Sequence, residues 1–307
     1  MAPGKLSRTS CCYRLPGVWL LMVLSPMAHA ADSLLLEDPG ARSLGRGGAS
    51  RADPDAVAEV ADSVTAASLQ STYAMYAGVS VMPDARFGWR VGALDARTSP
   101  IALGVRYQRY GDEPTLQGSE RPGWKLTGEE LTDPTVHQAI ALAAAVPMAG
   151  RRFSLGVSGR HHWREGERSG RDRATNLGVS ATGMPAQMLV LSLGARNLVL
   201  QDYPETQRHL DAGARFLGGE TFAVEIDGAV PWVDGVDFGG ARWMGGVDVQ
   251  PISWLKLRAG TSQQEQAWWV HAGLTIGNEK GGLEYGLRVD TRQASDNWHA
   301  IDLSLRF

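Results

Sequence analysis

The sequence predicts an all-β protein, a transmembrane antiparallel β-barrel of about 14 strands behind a short N-terminal hatch or helix segment. Three observations predict it. From residue 67 onward apolar and polar residues alternate with a period of two, the signature of strands with one apolar and one polar face. The connections between these segments sort by parity into short and long ones. No stretch approaches the ~18 uninterrupted apolar residues of a membrane helix, and 37 glycines with 43% hydrophobic residues suit a sheet whose strands are only half apolar.

Residues 1–30 carry Lys5, Arg8 and Arg14, then an apolar run centred on 18–24, then Ala28-His29-Ala30. A basic head, a short apolar core and a small-x-small exit make a cleaved secretory signal peptide. Cys11 and Cys12 precede the apolar run and leave with it, so no disulfide, thiol nucleophile or lipid-accepting cysteine is expected in the exported chain. The formal net charge of −3 becomes more negative as the three basic residues are lost. A mildly acidic exported protein is a poor nucleic-acid binder.

Residues 31–66 form the second unit, without strand pattern. Gly40 to Ala49 reads GARSLGRGGA, a glycine-rich turn region, and Asp53-Pro54-Asp55 before AVAEVADSV reads as an N-capped short helix with Pro54 in its first turn. A phosphate-loop reading of the glycines fails, since no strand precedes them and no Gly-Lys-Ser/Thr follows.

Residues 67–307 form the barrel. Alternating segments lie near 68–80, 86–95, 100–110, 134–147, 152–162, 174–184, 187–198, 207–217, 221–230, 241–250, 254–262, 267–276, 282–291 and 298–307. Even-to-odd connections are short, as in 97–100, 184–187 and 251–253, whereas most odd-to-even ones are longer and polar, above all 111–132. Short periplasmic turns opposite longer outer loops produce this asymmetry, and a soluble sandwich has no reason to. Tryptophans 163, 232, 243, 254, 268 and 298 fall near segment ends, where an aromatic girdle would sit.

The polar face carries Arg90, Arg106, Arg160, Arg196, Asp211, Arg215, Glu225, Asp227, Arg242, Asp248, Lys256, Arg258, Glu284, Arg288, Asp290, Asp302 and Arg306. In a barrel these line the lumen. Two consequences stay open: charges of both signs cross-brace a filled interior, or a small excess of arginine makes a polar path favouring anionic head groups, unless the hatch acids Asp53, Asp55, Glu59 and Asp62 cancel it. No catalytic residue and no metal ligand is assigned. His161 and His162 are neighbours in a strand and point to opposite faces, so they do not share an ion without a bulge. No nucleophile motif stands out, no cofactor is expected, and the protein is not read as an enzyme.

The last strand ends with Ile301, Leu303, Leu305 and Phe307 on one face. This resembles the C-terminal signal by which bacterial outer-membrane barrels are recognised for assembly. The GARSLGRGGAS run resembles the N-terminal segment of the fatty-acid-transporter (FadL-like) and PorV-like barrels, without the Asn-Pro-Ala element that usually follows. Leu193-Gly194-Ala195-Arg196-Asn197-Leu198, the stretch Pro251 to Gly260, and Leu283 to Leu287 with His299 and the terminal LSLRF resemble later strands of PorV-like proteins, with Asp302 in place of a small polar residue. The resemblance implies a fourteen-stranded barrel with a hatch in the bacterial outer membrane. It implies as partners the outer-membrane lipid, the barrel-assembly machinery, and either a hydrophobic small molecule or envelope proteins. Two functions follow: passive transport of a small hydrophobic or amphipathic solute, or a non-transporting envelope component such as a secretion shuttle or surface anchor.

Overall fold

A computed structural model describes residues 39–82, 86–111, 135–166, 170–199, 207–219, 221–232, 235–264, 267–278, 280–292 and 297–307. The expected signal peptide and nearly all of the 111–132 loop lie outside the described residues.

Fourteen strands close into one antiparallel barrel: β1 (Tyr73–Val81), β2 (Phe87–Asp95), β3 (Ala102–Gly111), β4 (Thr135–Met148), β5 (Phe153–Gly166), β6 (Gly170–Ala186), β7 (Leu189–Arg196), β8 (His209–Leu217), β9 (Phe222–Pro231), β10 (Arg242–Ile252), β11 (Leu255–Gln264), β12 (Ala267–Asn278), β13 (Gly281–Asp290) and β14 (Asn297–Arg306). Each pairs with its sequence neighbours, and β14 closes on β1. The period-two reading of the sequence therefore gives the right strand count. Strand boundaries agree to within a few residues, the largest misses being the start of β1, the end of β5 and the start of β6.

The strands are sheared. A line of register partners that starts at Tyr73, beside the chain terminus, runs through Asp95, Leu103, Ala144, Val157, Val179, Ala195 and Leu210 to Val230, next to the opposite end of β9. Rows of neighbouring side chains thus climb the wall obliquely, as strand tilt in a closed barrel requires.

Alternation sorts the two faces. Leu142, Val157, Leu193 and Ile226 are among many large apolar side chains half or more exposed on the outside, while the inner face buries Arg90, Arg215, Glu225, Asp227 and Asp302. A soluble protein reverses this arrangement, and such an outside is stable only against an apolar medium. The girdle reading holds for Trp243, Trp254 and Trp268, which are about half exposed, but not for Trp298. Its position has the parity of Ala300 and Asp302, so it turns inward and is buried.

Residues 40–69 lie inside the barrel. They form α1 (Ala41–Leu44), a 3₁₀ turn (Val57–Glu59) and α2 (Val60–Ala67). Helix α1 packs on β12 to β14 and α2 on β3 to β6. Asp53 does not cap a helix. One of its oxygens accepts from the Asp55 N–H at 3.0 Å and the other from Arg46 Nη2 at 2.6 Å. Helix begins only at residue 57, and the 3₁₀ turn has no side-chain cap.

Candidate functional site

The wall of β10 to β13 receives the N-terminal segment as bare backbone. Gly246, Gly260, Gly273 and Gly286, one on each strand, face inward. A Cβ added to any of them would collide with residues 41–47 of the segment. Gly47 has φ +78°, and a side chain there would run into the Thr261 carbonyl. Backbone meets backbone across this stripe because neither side carries side-chain bulk. His271 completes the seat, placing Nδ1 2.7 Å from the Leu44 carbonyl and Nε2 2.8 Å from Ser262 Oγ. The first nitrogen therefore donates, and the second accepts from the hydroxyl.

Around the stripe, charges on the wall meet charges and N–H groups of the segment. Arg46, fully buried, reaches Asp53 at 2.6 Å, Glu225 at 3.0 Å and Asp248 at 3.4 Å. Arg215 lies on the other side of the same acids, 2.8 Å from Glu225, 2.9 Å from Asp248 and 3.7 Å from Asp53. Arg258 sits 3.4 Å from Asp248 and donates to Thr275 at 2.6 Å. Glu225 also accepts the Ala52 N–H, and Asp227 accepts those of Ser50 and Arg51. Arg42 pairs with Glu284 at 2.6 Å, Arg306 with Asp55 at 2.7 Å, and Arg51 with Asp211 at 2.9 Å. Asp302 bridges wall and segment, accepting from Arg90 and from the Ala41 N–H, both at 2.6 Å. Asp62 on α2 joins Arg160 and Arg196, each at 3.2 Å, and Arg196 also holds Asp211.

Within the segment, burial alone would raise the Asp53 carboxyl, but Arg215, Arg46 and Arg42 hold it well below the usual carboxylate range. Asp55 is likewise depressed against its burial, chiefly by Arg306 and Arg42. The expected excess of wall arginines is thus only half of the arrangement. Hatch acids neutralise wall arginines, and the hatch arginines Arg42, Arg46 and Arg51 neutralise wall acids. These cross-pairs add to ion pairs made within the wall, such as Arg215 with Glu225, and within the segment, Arg46 with Asp53.

Five further inner-face charges surround this lattice, Lys256 among those that help to depress Asp55. Arg288 lies 4.7 Å from the Trp298 ring centre and 5.4 Å from that of Trp269, between two aromatic faces. Asp290 pairs in register with Trp269. Arg242 and Lys256 are partly buried on the inner face. Arg106 is buried in one oblique row with Tyr76, Gly92, Ala141, Arg160 and Asn176.

That row belongs to the inner face of β1 to β6. Its β4 part is alanine at every inward position from 139 to 145, and Ala143 and Ala145 pack against α2. Met82, Tyr110, Ala174, Trp298 and Ala300 form one buried cluster with Ala41 and Leu44, and Tyr110 stacks on His137 at 4.9 Å. Interleaved with these apolar groups are buried polar atoms that have no hydrogen-bond partner among the described residues: Tyr76 Oη, Ser80 Oγ, His162 Nδ1, both amide atoms of Asn176 and Trp298 Nε1. Such atoms mark where a water or a ligand's polar end would bond. His162 points into the lumen and His161 outward, to Thr175 at 2.7 Å. No group of three or more metal-ligating side chains occurs among the described residues.

Sequence reasoning named the charged wall residues but missed the glycine stripe, the hatch arginines and the neutral buried groups of the β1 to β6 inner face. Parity could have found the last set, since His162, Asn176 and Tyr110 share the phase of Arg160 and Arg106.

No protein-family model matches the chain, and no curated protein matches it in sequence. Solved structures do. A structure titled "CymD monoaromatic hydrocarbon channel" aligns over 87% of this chain and 96% of its own, with TM-score 0.59 and 11% identity. A Pseudomonas aeruginosa FadL homologue aligns over 88% and 98%, with TM-score 0.57 and 10% identity. The P. putida toluene transporter TodX aligns over 88% and 97%, with TM-score 0.53 and 12% identity. The chain thus has the fold of FadL-type barrels.

Proposed function

We propose that this protein is an outer-membrane channel for passive movement of small hydrophobic or amphipathic solutes. The observation that carries the reading is the inner face beside the docked N-terminal segment, where buried aromatic and aliphatic surface is mixed with polar atoms that have no hydrogen-bond partner among the described residues. A surface of that composition takes a largely apolar molecule and orients it by one polar end. Similar barrels include one titled a monoaromatic hydrocarbon channel and one titled a toluene transporter. The segment lies inside the lumen, so passage requires it to shift along or away from the glycine wall.

The test is uptake of a labelled alkylbenzene into vesicles holding a trapped acceptor, with and without the purified protein. Faster uptake with the protein, abolished by a disulfide tying the segment to β11, is the expected result. Uptake equal to that of protein-free vesicles would overturn it. That outcome would favour the second reading, a non-transporting envelope component, for which the observation is the ion-pair lattice filling the lumen. A plugged scaffold presenting loops or turns to envelope proteins needs such an interior and no path through it.

A further inference from the structure

The outside of the barrel is not uniformly convex. Across β1 to β6 runs an apolar groove of about 710 Å³. It follows the shear, climbing from Tyr73 and Asp95 at the terminal end to Leu177 and Leu198. Two adjacent register rows build it: Val105, Leu142, Gly159 and Leu177, and below them Leu103, Ala144, Val157 and Val179. The leucines and valines stand about half exposed as rims, and the floor is open because Gly159 and Ala144 carry little or no side chain. A Cβ added at Gly159 meets nothing closer than Leu177 Cδ2 at 3.7 Å. The strands beneath are paired in continuous register, so the groove is a dent in an intact wall.

Beyond Asp95 at its lower end, the polar chemistry lies above it. The next row up holds Tyr107, Ile140, His161 and Thr175, and the row above that Arg109, Gln138, Trp163 and Arg173. Tyr107 donates to Gln138 at 2.6 Å and lies 6.3 Å from Trp163, itself 5.5 Å from His161. This is an aromatic girdle at the level where hydrocarbon gives way to head groups. On β6 the outward sequence is Leu177, Thr175, Arg173, which places an exposed cation ~13 Å along the strand from the groove's upper end. Glu165, one row further, stands opposite Arg171 in the register.

We propose that this face is a binding site for one anionic, phosphate-bearing lipid of the leaflet on the long-loop side, an acyl chain lying in the groove and a phosphate meeting Arg173. Continuity with the lipid-facing belt selects a lipid as occupant, and the cation above the girdle selects an anionic head. The proposal needs the barrel to sit in a bilayer but not that its lumen conducts, so it stands or falls separately from the uptake experiment.

The test is native mass spectrometry of the purified full chain. It is released from non-ionic detergent after exposure to phosphatidylglycerol or phosphatidylcholine of matched chain length. The expected result is one retained phosphatidylglycerol, favoured about fivefold over phosphatidylcholine. Arg173→Glu removes the preference between heads. Gly159→Leu, whose side chain enters the groove without striking the wall, lowers retention of both lipids. Ile226→Ala, on the β9 exterior, changes neither. Heat-modifiable migration selects variants that have folded, and Arg173→Glu is an exposed exchange that tests the head-group arm even if Gly159→Leu does not assemble. Equal retention of both lipids by the wild type, phosphatidylglycerol retention unchanged in a folded Arg173→Glu, or a dimer formed through this face would overturn the proposal.

Discussion

The two halves of the inner wall hold the N-terminal segment by different physics. On β10 to β13 the contact is backbone against glycine, framed by arginines and carboxylates contributed from both sides. On β3 to β6 it is a helix against alanines: Val57, Val60, Val64 and Ala67 cluster with Ala74, Leu94, Ala102, Ala143 and Ala145. Small hydroxyls join them, Thr65 to Thr182 at 2.7 Å and Ser68 to Ser154 at 2.6 Å. The first half is directional and leaves charges stranded if it slips. The second is mainly apolar, with the Asp62–Arg160 pair and the two hydroxyl contacts as its polar ties, and strands fewer charges when it slips. A segment that must stay seated yet be able to move is better fixed on one side and sliding on the other, and the difference assigns those roles to β10–β13 and β3–β6.

The sharpest way to break the comparison is Arg46→Met. It removes one of the cations shared by Asp53, Glu225 and Asp248 and leaves Arg215 to serve all three, and truncating one partner of a buried charge group costs ~3–5 kcal/mol. The expected outcome is a barrel that still migrates as folded but whose segment is undocked, read as rapid labelling of a cysteine placed at Ala49 and raised leak of small ions in planar bilayers. Labelling as slow as in the parent would show that the lattice does not hold the segment. Next in size is Gly260→Val, which puts side-chain carbon where the Arg46 backbone lies. It should release residues 41–47 while leaving α2 seated, so that labelling rises at Ala49 but not at Thr65. Val64→Ala, on the sliding side, removes buried methyl groups worth about 2 kcal/mol. It should accelerate labelling at Thr65 modestly and leave Ala49 unchanged. If Val64→Ala undocks both halves as thoroughly as Arg46→Met, the division of roles is wrong.

How much of this was legible in the sequence follows from what each signal encodes. Strand number and facing come from a period of two, and a residue such as Glu225 or Arg258 announces its side by the company of Ala223, Val224, Leu257 and Ala259. The pairing between wall and segment does not, because Arg46 meets Glu225 across 179 residues and no local pattern records it. The four glycines are invisible for a related reason. Gly246, Gly260, Gly273 and Gly286 each sit in an unremarkable strand, and only the barrel's register sets them side by side. Trp298 was misplaced because proximity to a strand end outweighed its parity. Asp53 was misread as a cap because its partners are arginines from elsewhere in the fold. Local chemistry thus predicts elements and faces, while the site is made of coincidences between elements.

The smallest expected effect is that of pH, and its sign is fixed by the segment's own acids. Asp53 and Asp55 are both held below their ordinary values by arginines. A carboxylate with a depressed folded value stabilises docking fully above its undocked value, ~3.9, and loses that contribution as pH falls toward the folded one. Docking should therefore be flat between pH 8 and about 5, weakening only below about pH 4. The measurement is the labelling rate at Ala49 across that range with a thiol reagent whose intrinsic pH dependence is corrected against a fully exposed site. A rise between pH 7 and 5 would mean that a histidine controls the seat. The group to test would be His271, which joins Leu44 to Ser262. A rise confined to the acid limb, and lost in Asp55→Asn without changing the neutral-pH rate more than a few-fold, assigns the effect to the Arg306 pair.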